Sequence, residues 1–95
     1  MRIYIKSNFI VPGLGKRDSV ELEQSQITLR EFLGELSKIS PTAIEYVRPG
    51  FDRLDPDDWE VDINGIPYQH CRDGLRTVLK DGDKIAIKIL AMGGG

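Results

Sequence analysis

The sequence contains a single cysteine, Cys71, so no disulfide bond can form within the chain, which is typical of a reducing compartment. It also lacks a surplus of positive charge. The 13 Lys and Arg residues are outnumbered by 15 Asp and Glu residues, for a formal net charge of −2. Because surfaces that bind phosphate backbones are basic, this balance argues against nucleic acid as a partner.

Long apolar segments are missing as well. No hydrophobic run approaches the length of a transmembrane helix, and residues 1–6 show neither the apolar core nor the cleavage site of a signal peptide. We therefore expect a cytoplasmic protein with no membrane partner. What is present, 40% hydrophobic and 29% charged residues over 95 positions, is the composition of one small globular domain.

Alternation of apolar and polar side chains predicts four strands, of which the first two are expected to form a hairpin. They are Arg2–Lys6, Ser19–Leu22, Trp59–Ile63 and Lys84–Leu90. In the last strand one face should be buried and the other open. The side chains expected in the core are Ile85, Ile87 and Ile89, and those on the open face are Ala86, Lys88 and Leu90.

One amphipathic helix is predicted to begin after Thr28. Thr28 and Glu31 have the spacing of a capping box, in which each side chain accepts a hydrogen bond from the backbone N–H of the other residue. The apolar residues that follow recur at helical spacing and should form one buried stripe: Leu29, Phe32, Leu33, Leu36 and Ile39. Ser40-Pro41 ends the helix, because the residue before proline disfavours the helical conformation.

Two turns punctuate the second half of the chain. Asn64-Gly65 predicts a tight hairpin of type I′, and the short piece Ile66–Tyr68 after it is confined to an edge because Pro67 lacks a donor. Asp81-Gly82-Asp83 predicts a turn into the last strand.

The order of elements predicts an α+β domain with a four- to five-stranded mixed sheet and one main helix packed on one face, which is the β-grasp arrangement of ubiquitin. We expect this domain to span residues 1–92. Residues 42–58 are expected to form an insertion that packs a few side chains, and residues 93–95 a flexible glycine tail.

The glycine tail, Gly93-Gly94-Gly95, directly follows the last predicted strand and its short extension. Glycine has no Cβ, so such a segment can enter a slot too narrow for other residues, and the carboxylate of Gly95 becomes the candidate working group. Gly94-Gly95 is the simplest working pair, and Gly93-Gly94 after removal of Gly95 is the alternative. A carboxylate must be activated by a partner, so we expect no catalytic residues on this chain.

The β-grasp order, the Asn64-Gly65 turn, the Asp81-Gly82-Asp83 turn and the terminal glycines together resemble the MoaD/ThiS family of ubiquitin-like sulfur carriers. The resemblance covers nearly the whole chain. It implies that an E1-like adenylyltransferase uses ATP and Mg²⁺ to adenylate Gly95, and that a sulfurtransferase then delivers persulfide sulfur to form a thiocarboxylate. The chain would then be a carrier rather than an enzyme, with no cofactor or metal bound to it.

The resemblance leaves the sulfur acceptor open. The length of the chain and its insertion favour the large subunit of a molybdopterin synthase, with molybdenum or tungsten, whereas the triple glycine is typical of carriers for thiazole synthase in thiamine synthesis. tRNA thiolation is a third outlet. A ubiquitin-like protein modifier and a binding module with an inert tail are the alternatives of other classes. Whether the chain is a sulfur carrier or a protein modifier, we expect it to dock on its partners through the outward sheet face near the tail. The residues expected there are Leu90, Met92, Ala86 and Tyr4.

Overall fold

The computed structural model describes residues 1–8, 13–14, 17–41, 46–47, 54 and 59–89. Within these ranges the strands are β1 Arg2–Ser7, β2 Ser19–Glu21, β3 Ile27–Thr28, β4 Trp59–Ile63, β5 Ile66–Pro67, β6 Val78–Leu79 and β7 Lys84–Ile89. The helix α1 is Leu29–Ile39, and two short 3-10 helices are Tyr68–His70 and Gly74–Arg76.

Five of these strands form one mixed sheet in the order β2-β1-β7-β4-β5. β1 and β2 form the predicted antiparallel hairpin, with Ile3 opposite Val20. β7 lies parallel to β1 on one side and antiparallel to β4 on the other. The last strand in the sequence, β7, therefore lies at the centre of the sheet.

The helix α1 begins at the predicted capping box. The Glu31 N–H donates to Thr28 Oγ1 at 3.2 Å, and the Thr28 N–H donates to Glu31 Oε1 at 3.0 Å. The hydrogen bond from the Thr28 backbone, followed by that from its side chain, lowers the pKa of Glu31. The helix is thus stabilised at its first turn by groups that would otherwise lack partners.

The core lies between α1 and one face of the sheet. Each large aliphatic or aromatic side chain buried there stabilises the fold by about 1.5–3 kcal/mol relative to exposure. The helix contributes Leu29, Phe32, Leu33 and Leu36, and the sheet contributes Ile3, Ile5, Val61, Ile63, Ile85 and Ile87. One main helix on one face of a five-stranded mixed sheet is the predicted architecture.

Two side chains that the periodicity placed in the core are largely exposed, and the prediction for them was wrong. Ile39 is 42% exposed, because it lies about 80° around the helix from Leu29, whereas Ser40 lies about 20° away and is buried. Ile89 is 44% exposed, because the described pairing of β1 with β7 ends at Ile87 and the sheet narrows there.

The turn between β4 and β5 has the predicted type I′ geometry, with φ of 51° at Asn64 and 85° at Gly65. β5 is the edge strand, which accommodates Pro67.

Within 42–58, the described side chains of Tyr46 and Leu54 are buried. The Tyr46 ring packs on Trp59 with centroids 4.9 Å apart, and the Leu54 N–H donates to Tyr68 Oη at 2.8 Å.

β3 pairs with β6, which joins the start of α1 to the segment before β7 and was not predicted from the sequence. A hydrogen bond from the Leu29 N–H to Thr77 O, 2.9 Å long, reinforces this junction. The β3–β6 pair and this hydrogen bond therefore connect the start of α1 to the segment that leads into the central strand β7.

Candidate functional site

The predicted site residues divide into two groups. Leu90, Met92 and the tail Gly93–Gly95 lie outside the described residues. Tyr4 and Ala86 are described, and both lie on the sheet face that α1 does not cover. The structural basis of the site is therefore the strand β7, which leads to the tail, and the open face on either side of it.

The start of β7 is fixed by the two turns that carry the family resemblance, because they contact each other. Asn64 Nδ2 donates to Asp83 Oδ1 at 3.1 Å, and the Lys84 N–H donates to Asn64 Oδ1 at 2.9 Å. Asp83 Oδ2 also accepts from the Lys80 N–H at 2.8 Å, which closes the turn. The side chains of both turns are thus used to anchor the first residue of β7.

The same turn is bound to β1. The Gly82 N–H donates to Arg2 O at 2.8 Å, and the Arg2 N–H donates to Asp81 Oδ1 at 2.6 Å. The Tyr4 N–H donates to Asp83 O at 2.9 Å. These bonds set the parallel register of β1 and β7 at the point where β7 begins.

The far end of β7 is bound by Asn8, a residue that the sequence analysis did not select. Asn8 Nδ2 donates to Ile89 O at 3.1 Å, and the Ile89 N–H donates to Asn8 Oδ1 at 2.9 Å. We call this pair of bonds the Asn8 bracket. The only sequence signal was a carboxamide side chain at the end of a predicted strand, which is common in loops.

The open face has a shallow concavity of about 600 Å³ beside β7. Ala86 lines it, opposite Lys6 of β1 on one side and Asp62 of β4 on the other. Tyr4, 39% exposed, also lines it. Because alanine has the smallest side chain with a Cβ, the taller neighbours rise around it, so the structure brings the two described candidates into one depression.

Charged side chains of both signs surround this concavity: Lys6, Lys84 and Lys88 together with Asp18 and Asp62. The Asp62 side chain is only 14% exposed, and its Oδ2 lies 3.9 Å from Lys88 Nζ. Its Oδ1 is buried and has no hydrogen-bond partner among the described residues. A lining residue of the concavity, opposite Ala86, therefore carries a buried oxygen that has no hydrogen-bond partner among the described residues.

Two kinds of feature are absent from the described ranges, a cluster of metal ligands and a membrane-spanning helix. No group of three or more His, Cys, Asp or Glu residues there could hold a metal ion. No helix in the same ranges is long and apolar enough to cross a membrane. Cys71 is half-buried, and its Sγ lies 3.7 Å from Pro67 O.

No family model matches the chain, and no curated protein matches it by sequence. The solution structure of the Haloferax volcanii HVO 2177 protein is similar to it, with a TM-score of 0.69 and 21% sequence identity over 99% of this chain and 87% of that chain. The solution structure of small archaeal modifier protein 1 from Methanosarcina acetivorans is also similar, with a TM-score of 0.66 and 21% identity over 98% of this chain and 96% of that chain.

The chain has the ubiquitin-like β-grasp fold. The fold predicted from the order of elements is thereby confirmed. At 21% identity the likeness shows the fold alone.

Proposed function

We propose that this β-grasp protein is a carrier that is activated at the carboxylate of Gly95. The observation that carries the proposal is the position of β7, which is central in the sheet and leads to the glycine tail. A strand held on both sides gives the tail a rigid base, and the six residues 90–95 after it can extend about 20 Å at ~3.3 Å per residue. That length suits delivery of a carboxylate into the buried site of a partner.

The chemistry divides between the chain and its partners. A carboxylate is a poor electrophile, so an E1-like adenylyltransferase would join the Gly95 carboxylate to AMP from ATP, with Mg²⁺ in the enzyme and pyrophosphate as the leaving group. The terminal sulfur of a sulfurtransferase persulfide would then displace AMP to give an acyl disulfide, and a second cysteine thiolate of the partners would cleave its S–S bond, releasing the thiocarboxylate and leaving a disulfide on the partner. This chain would supply the electrophile and a docking surface, while the partners supply orientation and charge stabilisation.

Docking is proposed at the open face, through Tyr4 and Ala86 together with Leu90 and Met92. Support comes from the concavity that Tyr4 and Ala86 share beside the strand that leads to the tail. Ordering the tail costs roughly 1–2 kcal/mol per residue, so contacts on the domain must provide the affinity. Such a division gives transient complexes, as a shuttle requires.

Among sulfur acceptors we favour the molybdopterin-type synthase, on the length of the chain and the insertion at residues 42–58, whose described side chains Tyr46 and Leu54 pack into the core. Thiazole synthase is the alternative within the same class. A second candidate function, covalent attachment of Gly95 to lysine side chains, is favoured by the name of one similar structure, small archaeal modifier protein 1.

The deciding experiment is mass spectrometry of the protein isolated from its native cell. A sulfur carrier should have its terminus at Gly95 and a population heavier by about 16 Da, from oxygen replaced by sulfur. A modifier should instead leave Gly-Gly remnants on lysines of other proteins after trypsin digestion. A wild-type terminus that is never modified, together with no ATP–pyrophosphate exchange by any E1-like enzyme of that cell, would refute both functions.

Deletion of Gly95 tests which glycine is the working terminus. We expect the shortened chain to unfold at the same denaturant concentration as the wild type, because the tail adds no core contact in the proposal. Transfer of sulfur should fall by at least about 100-fold, since the reacting carbonyl is displaced by one residue, or ~3.3 Å. Full transfer by the shortened chain would assign the working pair to Gly93-Gly94.

A further inference from the structure

The described pairing of β1 with β7 ends at Ser7 opposite Ile87, yet β7 continues to Ile89. Alternate residues of a strand direct their N–H and C=O groups to the same neighbour, so those of Ile89 point toward the β1 side, as those of Ile87 do. The Asn8 carboxamide supplies one donor and one acceptor there. The Asn8 side chain thus replaces one further pair of backbone hydrogen bonds between β1 and β7.

A carboxamide is suited to this role because it is planar and carries a donor and an acceptor side by side, as a peptide group does. The two bonds also fix which end of the amide is which, since Ile89 O needs a donor and the Ile89 N–H needs an acceptor. Asn8 has few rotatable bonds, so holding it costs less entropy than a longer amide would. The Asn8 bracket therefore fixes the last described residue of β7.

We propose that Asn8 is a positioning residue that sets the point at which the tail leaves the sheet. The inference rests on the proposed activation of Gly95. With the Asn8 bracket in place, the segment that a partner must order begins after Ile89. Without it, the N–H and C=O of Ile89 lose their partners and Ile89 keeps only its place opposite Trp59 of β4, so a partner must also fix the backbone of Ile89.

The kinetic consequence falls on binding rather than on chemistry. Ordering one additional residue weakens docking by about five- to thirtyfold, from the usual entropy of fixing one backbone unit. Once docked, the carboxylate of Gly95 reaches the same position in either protein. We therefore expect Asn8→Ala to raise the KM of the activating enzyme for the carrier by about five- to thirtyfold, with kcat within about twofold of the wild type.

Two variants and one control separate positioning from stability. Asn8→Ala removes both bonds of the bracket. Asn8→Asp keeps the shape but replaces the donor with an oxygen that faces Ile89 O, so it should raise KM at least as much as Asn8→Ala. The control is Thr28→Ala, which removes the side-chain cap at the start of α1, away from the open face and from the end of β7.

The experiment measures ATP–pyrophosphate exchange by the activating enzyme at varied concentrations of each full-length variant. Hydrogen exchange of the Ile89 amide is followed in the same samples. The inference expects faster exchange at Ile89 and a higher KM for both Asn8 variants, whereas Thr28→Ala should retain the wild-type KM even though it is less stable.

A KM for Asn8→Ala equal to that of Thr28→Ala, or an Asn8→Asp variant that behaves as the wild type, would overturn the inference and leave the proposed function standing. A wild-type protein that no E1-like enzyme activates would refute the proposed function and the inference together. The two failures are thus distinguished by the wild-type reaction.

Discussion

Among the described glycines, Gly13 is the one least able to accept a side chain. Its φ is +86°, and a Cβ built there would overlap the carbonyl oxygen of Ile39 and lie 2.7 Å from the carbonyl carbon, at the end of α1. The obstacle is backbone, so no rotamer change relieves it. Gly13→Ala therefore combines the cost of a left-handed conformation, about 1–2 kcal/mol, with the cost of forcing the loop and the helix apart, about 1–3 kcal/mol.

The two costs can be separated with Gly82→Ala. Gly82 has nearly the same φ, +88°, but nothing lies within 4 Å of its Cβ position, so this variant carries only the conformational cost. We expect urea unfolding to show a loss of about 2–5 kcal/mol for Gly13→Ala and about 1–2 kcal/mol for Gly82→Ala.

Since 1 kcal/mol corresponds to roughly 4–8 °C in domains of up to about 100 residues, Gly13→Ala should also melt clearly below Gly82→Ala. Equal destabilisation by the two substitutions would show that the loop does not press on the helix end, and the reasoning would be refuted.

Three further predictions concern the helix start and the open face. Thr28→Ala should lower the unfolding free energy by about 1 kcal/mol in urea titrations, through loss of the cap. Because the folded pKa of Glu31 is lowered, its charge stabilises the fold above the unfolded pKa, about 4.5, and this contribution is lost as the pH falls through the folded pKa. The difference in unfolding free energy between wild type and Glu31→Gln should therefore shrink on acidification. A constant difference would contradict this prediction. Ala86→Arg should fill the concavity and weaken binding to the activating enzyme by roughly tenfold or more in calorimetric titration, with stability changed by less than about 1 kcal/mol, whereas Lys38→Ala on the helix surface should bind as the wild type.

Local chemistry made much of this fold predictable. The capping box at Thr28 and the type I′ turn at Asn64 are decided by residues adjacent in sequence, and both are present. Alternation identified β1, β4 and β7 because each has a buried and an open face. These features need no knowledge of distant parts of the chain.

What the sequence could not supply depends on distant contacts. Periodicity does not show how wide a stripe of a helix is covered or where a neighbouring strand ends, so Ile39, about 80° around the helix from Leu29, and Ile89, beyond the described β1–β7 pairing, were wrongly placed in the core. Strands of two residues, such as β3 and β6, have no detectable period. The Asn8 bracket joins residues 81 positions apart, and nothing near Asn8 in the sequence announces it.

The parallel arrangement of β1 and β7 has a mechanical consequence. Because the two strands run in the same direction, β1 begins at one end of the sheet and β7 finishes at the other. Tension between the start of β1 and a cargo held beyond β7 would therefore slide the strands along each other and load their hydrogen bonds together. An antiparallel hairpin pulled from its open end breaks its bonds one after another instead. A β-grasp domain linked through its tail should accordingly resist unfolding when it is pulled along the axis of its central strand.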